Sequence, residues 1–183
     1  MKQSPPSAHA LRVSTLEQNK PTSFDLRPDA AALRDLAEML ELSALRKLSF
    51  KGKVFAQGTA DWRLEAMLGA TVVQPCSVTL EPVTTRIDVP VQRVYQHDYV
   101  ETEAPEAEMP EDDSVEALPA WIDPDAIMLE TLTLAIPAYP RAKGAELGEL
   151  IVTEPGVAPM RDEDAKPFAG LAALKDQLSP KDD

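Results

Sequence analysis

The run 61-DWRLEAMLGATV-72 decides the fold. Trp62, Leu64, Ala66, Leu68, Ala70 and Val72 fall on alternate positions, with Arg63, Glu65 and Thr71 between them. Successive side chains of a strand point to opposite faces, so one face of this segment is apolar from end to end. The same period continues on either side. Upstream, in 47-KLSFKGKVF-55, Leu48, Phe50, Gly52 and Val54 alternate with Lys47, Ser49, Lys51 and Lys53. Downstream, in 83-VTTRIDVPV-91, Val83, Thr85, Ile87, Val89 and Val91 alternate with Thr84, Arg86 and Asp88, and Gln92 continues the polar set. Between the first two runs, 56-AQGTAD-61 reads as a hairpin loop. Long alternating runs in succession predict an antiparallel sheet with one buried face. About four to six strands are expected, including a short one near Leu11 to Leu16. Between Gln74-Pro75 and Glu81-Pro82 the prolines favour an edge or a bend.

Helices flank the sheet region. In 23-SFDLRPDAAALRDLAEMLEL-42, Leu33, Leu36, Ala37 and Leu40 share one helical face. Pro28 suits a first turn and Asp29 a helix N-terminus, which predicts a helix over 28–41. In 121-WIDPDAIMLETLTLAIP-137, Asp123 is a good N-cap, Pro124 fits the first helical position and Pro137 ends the run. Its apolar residues occupy more than one face, so it should be well buried against the sheet. The fold class is therefore α+β, an antiparallel sheet with helices packed on it.

The 183 residues suit one ordinary domain plus tails, and a 44% apolar content allows a core. The domain is placed at 10–150. Within it 98–120, rich in acid, proline and alanine, predict a disordered loop. Residues 151–183 are read as a tail with a short amphipathic helix at 167–177. A helix of that length is marginal alone, so the stripe of Phe168, Leu171 and Leu174 needs something to pack on.

Net charge is -13, but unevenly spread. Residues 1–97 hold 12 basic and 10 acidic side chains, whereas 98–116 hold nine acidic and none basic. The acidity argues against strong unaided nucleic-acid binding by the whole chain and leaves the first half free of that objection. The N-terminal stretch lacks a long apolar run and is read as carrying no signal peptide. One cysteine forms no intrachain disulfide and suits a reducing compartment, so a cytoplasmic location is expected.

No nucleotide loop, nucleophile elbow or Cys/His cluster with metal-ligand spacing is present. Glu111, Asp112 and Asp113 read as an ordinary charge run. No catalytic residue, metal or cofactor is assigned. One positive feature stands out. Arg46, Lys47, Lys51 and Lys53 cluster where the first helix gives way to strand, and Lys47, Lys51 and Lys53 should project away from Leu48 and Phe50. Such a basic sheet face can meet phosphates. The plain alternative is a solvated outer face, with Phe50 and Phe55 as core rather than stacking platforms.

The order of these parts resembles the YceD family, the large ribosomal RNA subunit accumulation proteins of bacteria and plastids. The resemblance runs over roughly residues 10–176. It rests on Glu130 and Pro137 in the 121–137 run, and on Pro167, Phe168, Leu171, Leu174 and Lys175 near the C-terminus. The form 74-QPCSVTLEPV-83 is similar to the alphaproteobacterial branch. Many members carry C-x-x-C there. Cys76 matches the first cysteine, Thr79 stands where the second would be, and Pro82 matches a proline beyond. Zinc or redox chemistry therefore does not transfer, and Cys76 is expected to be a small, half-buried hydrophobe.

The resemblance implies a non-catalytic role in accumulation of 23S ribosomal RNA: its synthesis, processing or stability during large-subunit assembly. The expected partner is ribosomal RNA or a precursor particle, met directly or through a protein, with no membrane and no small-molecule substrate. The tail residues Pro167, Phe168, Leu171, Leu174 and Lys175 would dock that protein. The alternative is an acidic protein-interaction adaptor without RNA contact.

Overall fold

The computed structural model describes residues 4–99 and 115–146. Its centre is a meander of three long strands, β3 (Ala44–Gln57), β4 (Asp61–Pro75) and β5 (Pro82–Gln96), each antiparallel to the next. The alternation that defined these segments is reproduced in burial: Phe50, Val54, Leu64, Leu68 and Val72 are fully enclosed while Lys51, Lys53 and Met67 are exposed. Gly58, with φ at 71°, makes the turn between β3 and β4, a conformation glycine adopts without a Cβ penalty. The proline-bounded bend is the β4–β5 turn, where Pro75 and Pro82 face each other as the last partners of the ladder.

Two shorter strands extend the meander. β2 (Thr22–Leu26), not anticipated from its short, mixed sequence, pairs antiparallel with β3. β6 (Val115–Ala117) pairs parallel with β5, giving the order β2-β3-β4-β5-β6. The sheet is thus mixed rather than purely antiparallel. A parallel partner needs a crossover connection of about a dozen residues or more, and 97–114 supply that length. The disordered loop expected at 98–120 is corrected at its C-terminal end, since 115–117 are strand; 100–114 lie outside the described residues. β1 (Leu11–Arg12) and β7 (Trp121–Ile122) form a separate antiparallel pair. A turn of 3-10 helix, Val13–Thr15, takes the rest of the strand expected near Leu11 to Leu16.

The second helix begins where its sequence places it, and the first begins two residues later than the expected 28. α1 (Ala30–Met39) is capped by Asp29, whose carboxylate accepts from the amides of Ala31 and Ala32. Pro28 therefore precedes the cap instead of opening the helix. α2 (Pro124–Ala135) is capped by Asp123 and buries Ile127, Met128, Thr131 and Leu132. Both pack on the apolar side of the sheet, where one core joins Ala37 of α1, Met128 and Leu132 of α2, and the inward residues of β3, β4 and β5. Among the described residues, no element covers the other side. The tail at 151–183 lies outside the described residues, as do Pro167, Phe168, Leu171, Leu174 and Lys175. No described helix is long and apolar enough to cross a membrane.

Candidate nucleic-acid interface

The uncovered face of the sheet carries the basic cluster. Register sets its rows: Asp25, Lys51, Met67 and Pro90 lie across the sheet in one, and Ser23, Lys53, Glu65 and Gln92 in the next. Arg46, Lys47, Lys51 and Lys53 are all exposed. Between Arg46 and Ser49 the β3–β4 register shifts, and Lys47 takes φ 53°. This bulge moves the buried positions from Leu45 to Leu48 and Phe50, so Arg46 and Lys47 both turn outward. Lys53 approaches Glu65 at 3.3 Å and lies 4.9 Å from the centre of the Phe55 ring. Phe55 is thus corrected: it belongs to the open face, half-buried and paired in register with Arg63, while Phe50 is core.

The sheet adds cations that the sequence reading passed over. Arg86 is in register with Thr71 and exposed. Arg63 is half-buried beside Glu65, and Arg27 follows β2. Asp88 binds the Arg86 guanidinium and Asp25 binds that of Arg27; each arginine holds its acid below the usual carboxylate range. Lys47 and Lys51 have no carboxylate within ion-pair distance among the described residues. A face with spare cations and exposed hydroxyls can bind oxyanions.

A cleft of about 730 Å³ lies among α1, α2 and the N-terminal segment. Its Ser7 hydroxyl donates to Asp123 at 2.7 Å, and His9 Nδ1 meets Asp125 at 2.8 Å. The serine is hydrogen-bonded to a helix cap rather than to a base, so these residues latch the N-terminal segment onto α2 and make no triad. Among the described residues no group of three or more His, Cys, Asp or Glu is placed to hold a metal ion.

A family model described as large ribosomal RNA subunit accumulation protein YceD matches residues 64–175, more than half of the chain. The chain belongs to the YceD family. No curated protein and no solved structure matches it significantly.

The matched span includes Cys76, Thr79, Pro82, Glu130 and Pro137. Cys76 is fully buried, not half-buried, and it is more than an apolar filler. Its Sγ accepts from the backbone amides of Val78 and Thr79, both at 3.4 Å, and from Ala142 at 3.2 Å. The Ala142 amide, then the Thr79 hydroxyl and amide, hold the thiol pKa down to about 6 against the opposing effect of burial. Thr79 thus keeps a turn closed on sulfur although it supplies no second thiolate. The segment after α2 completes this corner. The Pro137 carbonyl accepts from Gln74 Nε2 at 3.1 Å, and the Pro140 carbonyl from the Ser77 amide and hydroxyl at 2.8 and 3.1 Å. Glu130 has a different task. It shares the Arg93 guanidinium with Glu116, tying α2, β5 and β6 together. Cys76, Pro82 and Pro137 therefore gather at one end of the β4–β5 hairpin, and Glu130 lies apart from them. Neither group adjoins the basic face by any described contact.

Proposed function

We propose that this YceD-family chain is a non-catalytic factor that promotes accumulation of 23S ribosomal RNA during large-subunit assembly, and that it meets RNA or a precursor particle through the open face of its sheet. The same resemblance supports an alphaproteobacterial-type member. One observation carries the RNA contact: the uncovered face holds Lys47 and Lys51, without ion-pair partners among the described residues, and Arg46, Lys53 and Arg86 exposed beside them. Those cations stand clear of the acidic run at 98–116 in the sequence, so the first half of the chain can approach phosphates while total charge stays at -13.

The test is native capture of tagged protein at low and moderate salt, with sequencing of bound RNA, for wild type and for Lys51→Gln with Lys53→Gln. Large-subunit precursor RNA should be enriched by wild type at low salt. It should be depleted several-fold by the substitutions and by moderate salt, because phosphate contacts are salt-sensitive. Recovery of proteins with no ribosomal RNA above background would favour an acidic adaptor and sink direct contact.

A further inference from the structure

Where β2 ends and β3 bulges, the open face dips into a hollow of about 580 Å³ lined by Arg27, Lys47, Ser49, Thr71 and Arg86. Its charged lining is entirely cationic. Asp25 and Asp88 bind Arg27 and Arg86 at 3.0 and 2.8 Å; neither acid lines the hollow, although the Asp88 carboxylate is exposed beside Ser49 and Gly69. Among the described residues, the Ser49 and Thr71 hydroxyls make no hydrogen bond to protein.

The local backbone is arranged around these groups. Left-handed φ costs a residue with a Cβ about 1–2 kcal/mol, yet Lys47 adopts φ 53° within the bulge. With regular alternation after Leu45, position 47 would point into the core; the bulge turns Lys47 outward instead, where it lines the hollow. Across β4, Gly69 leaves room for Arg86. A Cβ at Gly69 would sit 2.7 Å from Arg86 Nη2 and 3.2 Å from Ser49 Oγ, so any larger residue would displace the guanidinium. A lysine, two arginines whose Nε edges are already held by Asp25 and Asp88, and two hydroxyl side chains line one space, a donor set that can take a phosphate oxyanion.

We infer that this hollow seats one phosphate of an RNA backbone, with Lys51 and Lys53 meeting phosphates further along the same strand. Residues two apart on a strand lie about 6.6 Å apart along it, which is comparable to the step between successive phosphates. The inference rests on the reading that the open face meets RNA, and names the residues that fix its register.

Fluorescence anisotropy of a short labelled single-stranded RNA with the full chain tests it, across a salt series. The variants are Lys47→Gly with Arg86→Gln, Lys47→Gly alone, and Lys51→Gln with Lys53→Gln. Glycine suits the observed φ, so Lys47→Gly should melt no lower than wild type by circular dichroism. The Lys47/Arg86 pair of changes should weaken RNA binding about tenfold on any sequence and reduce the slope of log affinity against log salt by about 1.4. Lys47→Gly alone should weaken binding by a smaller factor. RNA should also shift the Ser49 and Thr71 amide resonances of wild type. If Lys47→Gly and the Lys47/Arg86 variant bind as wild type while the Lys51/Lys53 variant does not, the open-face reading stands and the phosphate seat is wrong. If wild type binds no RNA even at low salt, both fall. Binding of a phosphoserine peptide in place of RNA would likewise overturn the assignment.

Discussion

Cys76 draws three backbone amides onto its sulfur, two from its own turn and one from the segment after α2. Its ordinary pKa of 9.0 falls to about 6 in the fold, so between those values the native state holds a thiolate while the unfolded chain holds the proton. The unfolded state then binds more protons, and stability rises with pH across that window. Urea midpoints measured near pH 6 and pH 9 should increase for wild type and lose that increment in Cys76→Ala; equal pH dependence in the two proteins would refute the role of the thiol. The substitution should also lower the midpoint throughout, because it leaves three part-buried amides without their sulfur acceptor. The sequence disclosed the turn through its prolines and the missing metal pair through Thr79. It did not disclose the burial of Cys76, because the third donor, Ala142, is 66 residues away.

Elements were legible wherever one period ran long enough. The alternation around Phe50, Leu64, Leu68 and Ile87 identified β3, β4 and β5 and the side each buries, and Asp29 and Asp123 marked both helix starts. The shorter elements escaped because pairing, not pattern, makes them strands. β2 is five residues facing β3, and β6 is three residues held at the far edge. For β6 the holding contacts are long-range: Arg93, its side chain 19% exposed, binds Glu116 of the strand and Glu130 of α2 together. The Leu118 amide donates to the Gln96 carbonyl at 2.8 Å just beyond. Arg93→Ala should cost about 1–2 kcal/mol, at the lower end for charge-assisted hydrogen bonds because both acids are partly exposed. Hydrogen exchange should quicken at Leu118 well before it does at the centre of β4. Uniform acceleration across the sheet would show instead that Arg93 supports the core rather than the β6 edge. The candidate site was legible in the same partial way. Arg46, Lys47, Lys51 and Lys53 could be placed on an outward face, but their alignment with Arg86 follows from β4–β5 register, and the outward turn of both Arg46 and Lys47 follows from a bulge that no residue pattern announces.

For the whole molecule, the sheet separates two jobs. Its apolar side is spent on α1 and α2, and its other side is left bare of described structure and rich in cations. A protein with net charge -13 should bind nonspecific polyanions weakly, so the proposed RNA contact would depend on presenting that one face correctly. The most direct measurement is ultraviolet crosslinking in living cells followed by mass spectrometry of RNA-bearing peptides and sequencing of the attached RNA. The account predicts crosslinks within β3 between Arg46 and Phe55, attached to large-subunit precursor RNA and lost in Lys51→Gln with Lys53→Gln. Crosslinks confined to other parts of the chain, or an attached RNA population with no large-subunit enrichment, would contradict it.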